Sequence, residues 1–217
     1  MGPRPFPDIA MGLPKSRIAI FSLVLAGTLT LALGAWHLAL WLRPAPETLA
    51  PPSVAAVTIG GPFALTDQEG RAVTDADFRG RLMLVFFGFT YCPDVCPTSL
   101  TLISDALDQL GERAREVAPI FITVDPERDT PEQLKSYVAH FHPSMIALTG
   151  GADEIAKVAK AYRVYFARAP IAGGAADEYL MDHTSILYVM DREGKFAAHF
   201  THGTAPEKIA SRLKELL

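Results

Sequence analysis

Two cysteines, the only ones in the chain, stand four apart in Tyr91-Cys92-Pro93-Asp94-Val95-Cys96-Pro97-Thr98. The residues up to Gly88 read as a buried strand and those after Pro97 as a helix, so the pair sits at a strand-to-helix turn. There backbone N–H groups point outward and the helix dipole favours negative charge. Such a setting lowers a thiol pKa, and the thiolate is both a nucleophile and a soft-metal ligand. Cysteines at this spacing can be bridged if their Cα atoms approach to about 4.4–6.8 Å, and the same closeness lets both sulfurs hold one metal ion. A purely structural disulfide is the competing reading, but so small a loop adds little chain-entropy stabilisation.

Two thiolates do not complete a metal site. Structural zinc takes four protein ligands, and the chain has no further Cys. Two soft thiolates with one imidazole suit Cu(I). The histidines are His37, His140, His142, His183, His199 and His202. His37 falls inside a long apolar run. His140 and His142 flank the end of an amphipathic helix. His199 and His202 lie on or after the last strand and are expected away from the thiol turn. His183, in Met181-Asp182-His183-Thr184-Ser185, leads into a strand beside that turn and is the candidate third ligand. An ordinary surface or core histidine remains the alternative at this point. Asp125 opens Asp125-Pro126-Glu127-Arg128-Asp129, after the second central strand. Open α/β sheets line their ligand crevice with such loops, so Asp125 is expected either to orient a ligand or partner or to close a turn with a solvated charge cluster.

The elements that must hold these residues follow from apolar patterning. Leu82 to Phe87 is an unbroken apolar run, suited to a central strand covered on both faces. Pro97 is expected at the first helical position, with Leu100, Ile103, Leu107 and Leu110 on one face and Gly111 at the end. Pro119 to Val124 is a second buried strand. Thr130-Pro131-Glu132-Gln133 reads as a capping box, followed by Leu134, Tyr137, Val138 and Phe141 at helical spacing. Ile155, Val158, Ala159 and Tyr162 mark a third helix. Ser185 to Met190 and Phe196 to Phe200 form a hairpin, and Pro206, Ile209, Leu213 and Leu216 mark a terminal helix. A short strand and turn over Phe63 to Gly70 precede these. The order predicts an α/β fold, a mixed sheet flanked by helices. A reactive thiol pair at its first βα turn is the thioredoxin arrangement, here with Cys-x3-Cys spacing.

Ile18 to Leu42 holds 25 positions without a charge, enough for one N-terminal transmembrane helix. Trp36 and Trp41 near its far end suit an interface. Arg4, Lys15 and Arg17 precede it and only Arg43 follows before Arg71. The positive-inside rule therefore places residues 1–17 in the cytoplasm, or on the matrix side of a mitochondrion, and exports the rest. The expected location is a single-pass inner membrane protein with its C-terminal domain in the periplasm or the intermembrane space, where disulfides form. Residues 18–42 are the anchor. Residues 43–59 are a semi-rigid linker; the stretch Pro44–Pro62 holds five prolines. Residues 60–217 are the domain. From Pro44 onward 23 acidic residues oppose 16 Lys and Arg, which argues against a nucleic-acid partner.

Taken together and in order, several segments resemble the Sco/SenC family of thioredoxin-like copper proteins that help assemble cytochrome c oxidase. They are Gly61-Pro62-Phe63, Phe87-Gly88-Phe89-Thr90, Cys92-Pro93-Asp94-Val95-Cys96-Pro97-Thr98, Phe121-Ile122-Thr123-Val124-Asp125-Pro126-Glu127-Arg128-Asp129-Thr130-Pro131, Leu148-Thr149-Gly150 and Asp182-His183-Thr184. The resemblance covers residues 60–217 and implies that Cys92, Cys96 and His183 bind one copper ion per domain. It also implies that the metal-free protein acts on disulfides through Cys92 and Cys96. The implied partners are cytochrome c oxidase subunit II, whose dinuclear copper site would receive the metal, and a thiol oxidoreductase or another copper chaperone. Arg168 to Asp177 falls where the family varies and is expected to be a mobile loop.

The rival from another class is a membrane-anchored thiol–disulfide oxidoreductase or peroxidase with no copper-delivery role. The peroxidase version is weakened because Phe89, not Thr, stands three before Cys92 and no Pro precedes it. A tethered interaction module with an inert disulfide is a third reading.

Overall fold

The computed structural model describes residues 15–43, 58–171, 173 and 178–217. The expected tail and linker lie largely outside these residues, as do Arg4 and most of the expected loop after Pro170. The chain divides into two units between Ala55 and Ala56.

The first unit holds α1 (Lys15–Trp41). Its stretch Leu23–Trp41 is long and apolar enough to cross a membrane. At 1.5 Å per residue that stretch spans about 28 Å, close to the hydrocarbon thickness of a bilayer. The Thr28 and Thr30 hydroxyls donate to carbonyls one turn back, which satisfies them inside the helix.

The second unit is built on a seven-stranded mixed sheet. In chain order its strands are β1 (Ala64–Asp67), β2 (Ala72–Thr74), β3 (Leu82–Gly88), β4 (Val117–Thr123) and β5 (Ile146–Thr149), then β8 (Ile186–Met190) and β9 (Phe196–Thr201). The sheet order is β2-β1-β5-β4-β3-β8-β9, with β3, β4 and β5 mutually parallel and the other pairings antiparallel. All seven residues of β3 and all seven of β4 are buried, which explains their lack of polar alternation. In register, Phe86 lies opposite Phe121 and Gly88 opposite Thr123. The helices are α2 (Val95–Asp108), α3 (Pro131–Val138), α4 (Ala152–Ala161) and α5 (Pro206–Leu216). They bury the predicted apolar positions, among them Leu100, Ile103 and Leu107, Leu134 and Val138, Ile155, Val158 and Ala159, and Ile209 and Leu213. The predicted thioredoxin-like architecture is present.

Several local expectations change. The thiol helix begins at Val95, two residues before Pro97, and ends at Asp108; Gly111 opens a 3-10 turn instead of closing the helix. Phe141 lies beyond α3, in a turn whose N–H reaches the Val138 carbonyl. A further strand, β5, separates α3 from α4. Part of the expected mobile loop is instead β6 (Phe166–Pro170), paired with β7 (Tyr179–His183) as a separate two-stranded sheet.

Candidate metal centre

β3 ends at Gly88, and the chain turns through Phe89, Thr90 and Tyr91 to Cys92. This turn is held from below by Asp129. Its carboxylate accepts from Thr90 N–H at 3.1 Å, from the Thr90 hydroxyl at 2.7 Å and from the Thr123 hydroxyl at 2.6 Å. Gln133 adds a bond from its side-chain amide to the Thr90 hydroxyl. Asp129 is fully buried, and burial raises its pKa against the pull of these donors. It sits in the predicted charge cluster, yet it is an internal strut of the thiol turn.

Helix α2 starts under unusual caps. Asp94 stands at the N-cap without a side-chain bond to the backbone. The Cys92 sulfur instead accepts the Cys96 N–H at 3.3 Å. The cysteines are free thiols in unequal surroundings: Cys92 is partly exposed, and Cys96 is buried. The strand-to-helix turn thus presents Cys92 to solvent and turns Cys96 into the core. Gly88 makes room for it, because a Cβ there would stand 2.7 Å from the Cys96 sulfur.

The pair shares its protons unequally. The Cys96 thiol, donating to Cys92, is the largest influence holding Cys92 far below the ordinary thiol range, to about 4; backbone N–H groups add to it against partial burial. The same bond and deep burial push Cys96 well above that range. The shared bond thus favours the thiolate on Cys92 and the proton on the inner sulfur.

His183 closes the arrangement from 87 residues away, its Nε2 standing 3.5 Å from the Cys96 sulfur. Its Nδ1 is 3.2 Å from the Thr184 carbonyl. A carbonyl only accepts, so Nδ1 carries the proton and the Nε2 lone pair faces the thiols. The edges of Phe86 and Phe89 meet the ring at centroid distances of 6.3 and 5.9 Å and fix its plane. The residue is the last of β7, not part of the strand that follows. Among the described residues no preformed cluster of three His, Cys, Asp or Glu ligands is present. Cys96 touches both other donors, donating to Cys92 and standing 3.5 Å from His183 Nε2, contacts that a metal would replace. Two sulfurs and an imidazole lone pair converging in an apolar shell are a donor set that fits a soft monovalent ion.

The other histidines are placed elsewhere. His142 contacts Ser144 and Asp108, and His140 bonds back to its own turn. His202, expected away from the thiol turn, contacts Ser99 of α2 at 3.1 Å. Asp125 is 2% exposed and is not a solvated charge. It accepts from Arg128 Nε at 2.5 Å and from the Tyr179 hydroxyl at 2.9 Å.

Residues 52–217 match SCO1/SenC. The chain belongs to the SCO1/SenC family. A SCO2-like protein of Rickettsia felis is 38% identical over 205 residues, covering 92% of this chain and 98% of that one. Among solved structures, the copper-bound ScoI of Bradyrhizobium japonicum is 50% identical, with a TM-score of 0.68 over 73% of this chain and 99% of that one. BsSco, in which a disulfide switch was identified, is described as a member of the Sco family of cytochrome c oxidase assembly proteins. It is 28% identical, with a TM-score of 0.57 over 73% of this chain and 93% of that one.

Proposed function

We propose that this protein is a membrane-anchored copper metallochaperone, binding one copper ion through Cys92, Cys96 and His183 and delivering it to the dinuclear copper site of cytochrome c oxidase subunit II. The observation that carries the reading is the 3.5 Å approach of His183 Nε2 to the Cys96 sulfur with its lone pair turned inward. Family membership and the copper-bound relative support it. Residues 18–42 would anchor the chain and residues 43–59 would carry the domain, residues 60–217, into the periplasm or intermembrane space. Cu(I) would find Cys92 already a thiolate and would displace the one proton left on Cys96. Affinity would therefore rise with pH for as long as the metal-free site holds that proton.

The test is copper analysis of the full chain in detergent after anaerobic incubation with Cu(I). The reduced protein should hold one ion and the oxidised protein none. Equal retention by both forms would overturn the reading, since a disulfide offers no thiolate. His183→Ala should weaken binding strongly.

A second reading, thiol–disulfide reductase, is favoured by the unequal thiols. The Cys92 thiolate would attack a partner disulfide, forming a mixed disulfide and releasing one partner thiolate. Cys96, losing its proton to His183 Nε2, would then attack Cys92 and release the second. The partner is reduced by two electrons, the protein's own disulfide forms, and a thiol donor must restore it. Copper stoichiometry and turnover on a disulfide substrate separate the two roles.

A further inference from the structure

We infer that Arg128 is a positioning residue for His183, acting through the β6–β7 hairpin. The inference rests on the reading of His183 as a ligand.

The hairpin that ends in His183 pairs only with itself and not with the main sheet. Met181 of β7 is buried in the core, but the packing is incomplete: a cleft of about 260 Å³, lined by Val124, Pro126, Ile155, Phe166 and Met181 among others, opens behind the hairpin. Besides the contacts of His183 itself with Cys96, Phe86 and Phe89, a guanidinium joins the hairpin to the body of the domain near the thiols. Arg128 Nε donates to Asp125 at 2.5 Å, and Nη1 donates to the Tyr179 carbonyl, on the hairpin, at 3.0 Å. The Tyr179 hydroxyl returns to the other Asp125 oxygen. The cation also lies over the Tyr179 ring at 3.7 Å and the Tyr91 ring at 4.6 Å. Tyr91 is the residue before Cys92. Its remaining nitrogen, Nη2, is buried without an acceptor, so that side of the guanidinium interacts through ring faces. One side chain therefore joins the thiol turn, the Asp125 loop and the strand that delivers the imidazole. A further ion pair is peripheral: Arg168 pairs with Glu127 at the exposed edge, while the bonds between Thr184 and Tyr165 extend the hairpin's own pairing.

Lysine keeps the charge but lacks the planar fork that reaches Asp125 and the Tyr179 carbonyl together. The experiment compares Arg128→Lys and Tyr179→Phe, each alone and combined with His183→Ala, in the full chain in detergent. It reads Cu(I) affinity by competition with a chromophoric chelator, and amide exchange over residues 179–185. Arg128→Lys should weaken Cu(I) binding about tenfold and speed hairpin exchange. In the His183→Ala background it should weaken binding no further. An equal loss in both backgrounds, or unchanged exchange, would overturn the proposal. Should Arg128→Lys fail to fold, Tyr179→Phe removes one hydroxyl only and should give a smaller loss with the same dependence on His183. If His183→Ala leaves Cu(I) binding unchanged, the ligand reading fails, and the clamp is then decided by hairpin exchange alone.

Discussion

The Cys92 sulfur caps the Cys96 N–H at 3.3 Å, so one thiol stabilises the first turn of the helix that carries the other. Cys92 is held near 4, chiefly by the Cys96 thiol, and Cys96 is driven the other way. Iodoacetamide should therefore modify Cys92 at about pH 5 and spare Cys96. Its rate at Cys92 should stay flat from about pH 6 to 8, because the thiolate is already formed. Mass-mapped alkylation checks this. A rate climbing about tenfold per pH unit to pH 8 would mean an ordinary thiol.

Gly88→Ala should damage the site from behind. The added methyl would stand 2.7 Å from the Cys96 sulfur and 2.8 Å from the Phe121 ring. Both neighbours are fully buried and close-packed, so overpacking should cost about 1–3 kcal/mol. Urea unfolding measures that loss, and Cu(I) competition should show weaker binding as Cys96 is pushed aside. Wild-type values for both would mean that the turn yields freely.

The two serine substitutions should differ in stability. Cys96 is fully buried in the apolar core, and a hydroxyl there costs about 1–3 kcal/mol unless it is well bonded. Cys92→Ser, at a partly exposed position, should cost under about 0.5 kcal/mol. Both should abolish tight copper binding. Equal destabilisation would contradict the burial difference.

Asp129 should leave a signature in the pH dependence of stability. Burial raises its folded pKa, so the folded protein holds this proton more tightly than the unfolded chain. Its contribution to stability is then largest below the unfolded value of about 3.9 and declines as pH rises through the folded value. The stability of wild type relative to Asp129→Asn should fall as pH rises across that window. A difference that instead grows with pH there would show that the three hydroxyl and amide donors outweigh burial. Asp129→Ala, stripping the acceptor from Thr90 and Thr123, should destabilise strongly at any pH.

Much of the frame was legible because it depends on local pattern. Continuous apolar runs marked β3 and β4, and helical spacing marked α2 to α5 within a few residues. Thr130 does cap α3, accepting the Gln133 N–H. What escaped depends on distant partners. β5 is a four-residue strand with no alternation of its own. β6 and β7 contain Arg168, Pro170 and Asp182 and exist only by pairing with each other. Pro97 suggested a later helix start because the Cys92 cap is a side-chain effect invisible in the residue string. Type and spacing singled out Cys92 and Cys96, the family resemblance added His183, and the structure brings the three together. Arg128, Asp125 and Asp129 looked like a solvated cluster because nothing local reveals that Thr90, Thr123 and Tyr179 enclose it.

The three donors are divided very unevenly along the chain: the thiols close a loop of a few residues, while the imidazole lies 87 residues beyond Cys96. Bringing ends that far apart together in a flexible chain costs on the order of 4 kcal/mol. An unfolded or partly folded molecule thus keeps its dithiol but has no histidine beside it. Thiol chemistry needs residues 92–96 alone. A three-donor grip on copper would exist only after the last third of the domain is in place, so a metal held this way certifies a finished fold.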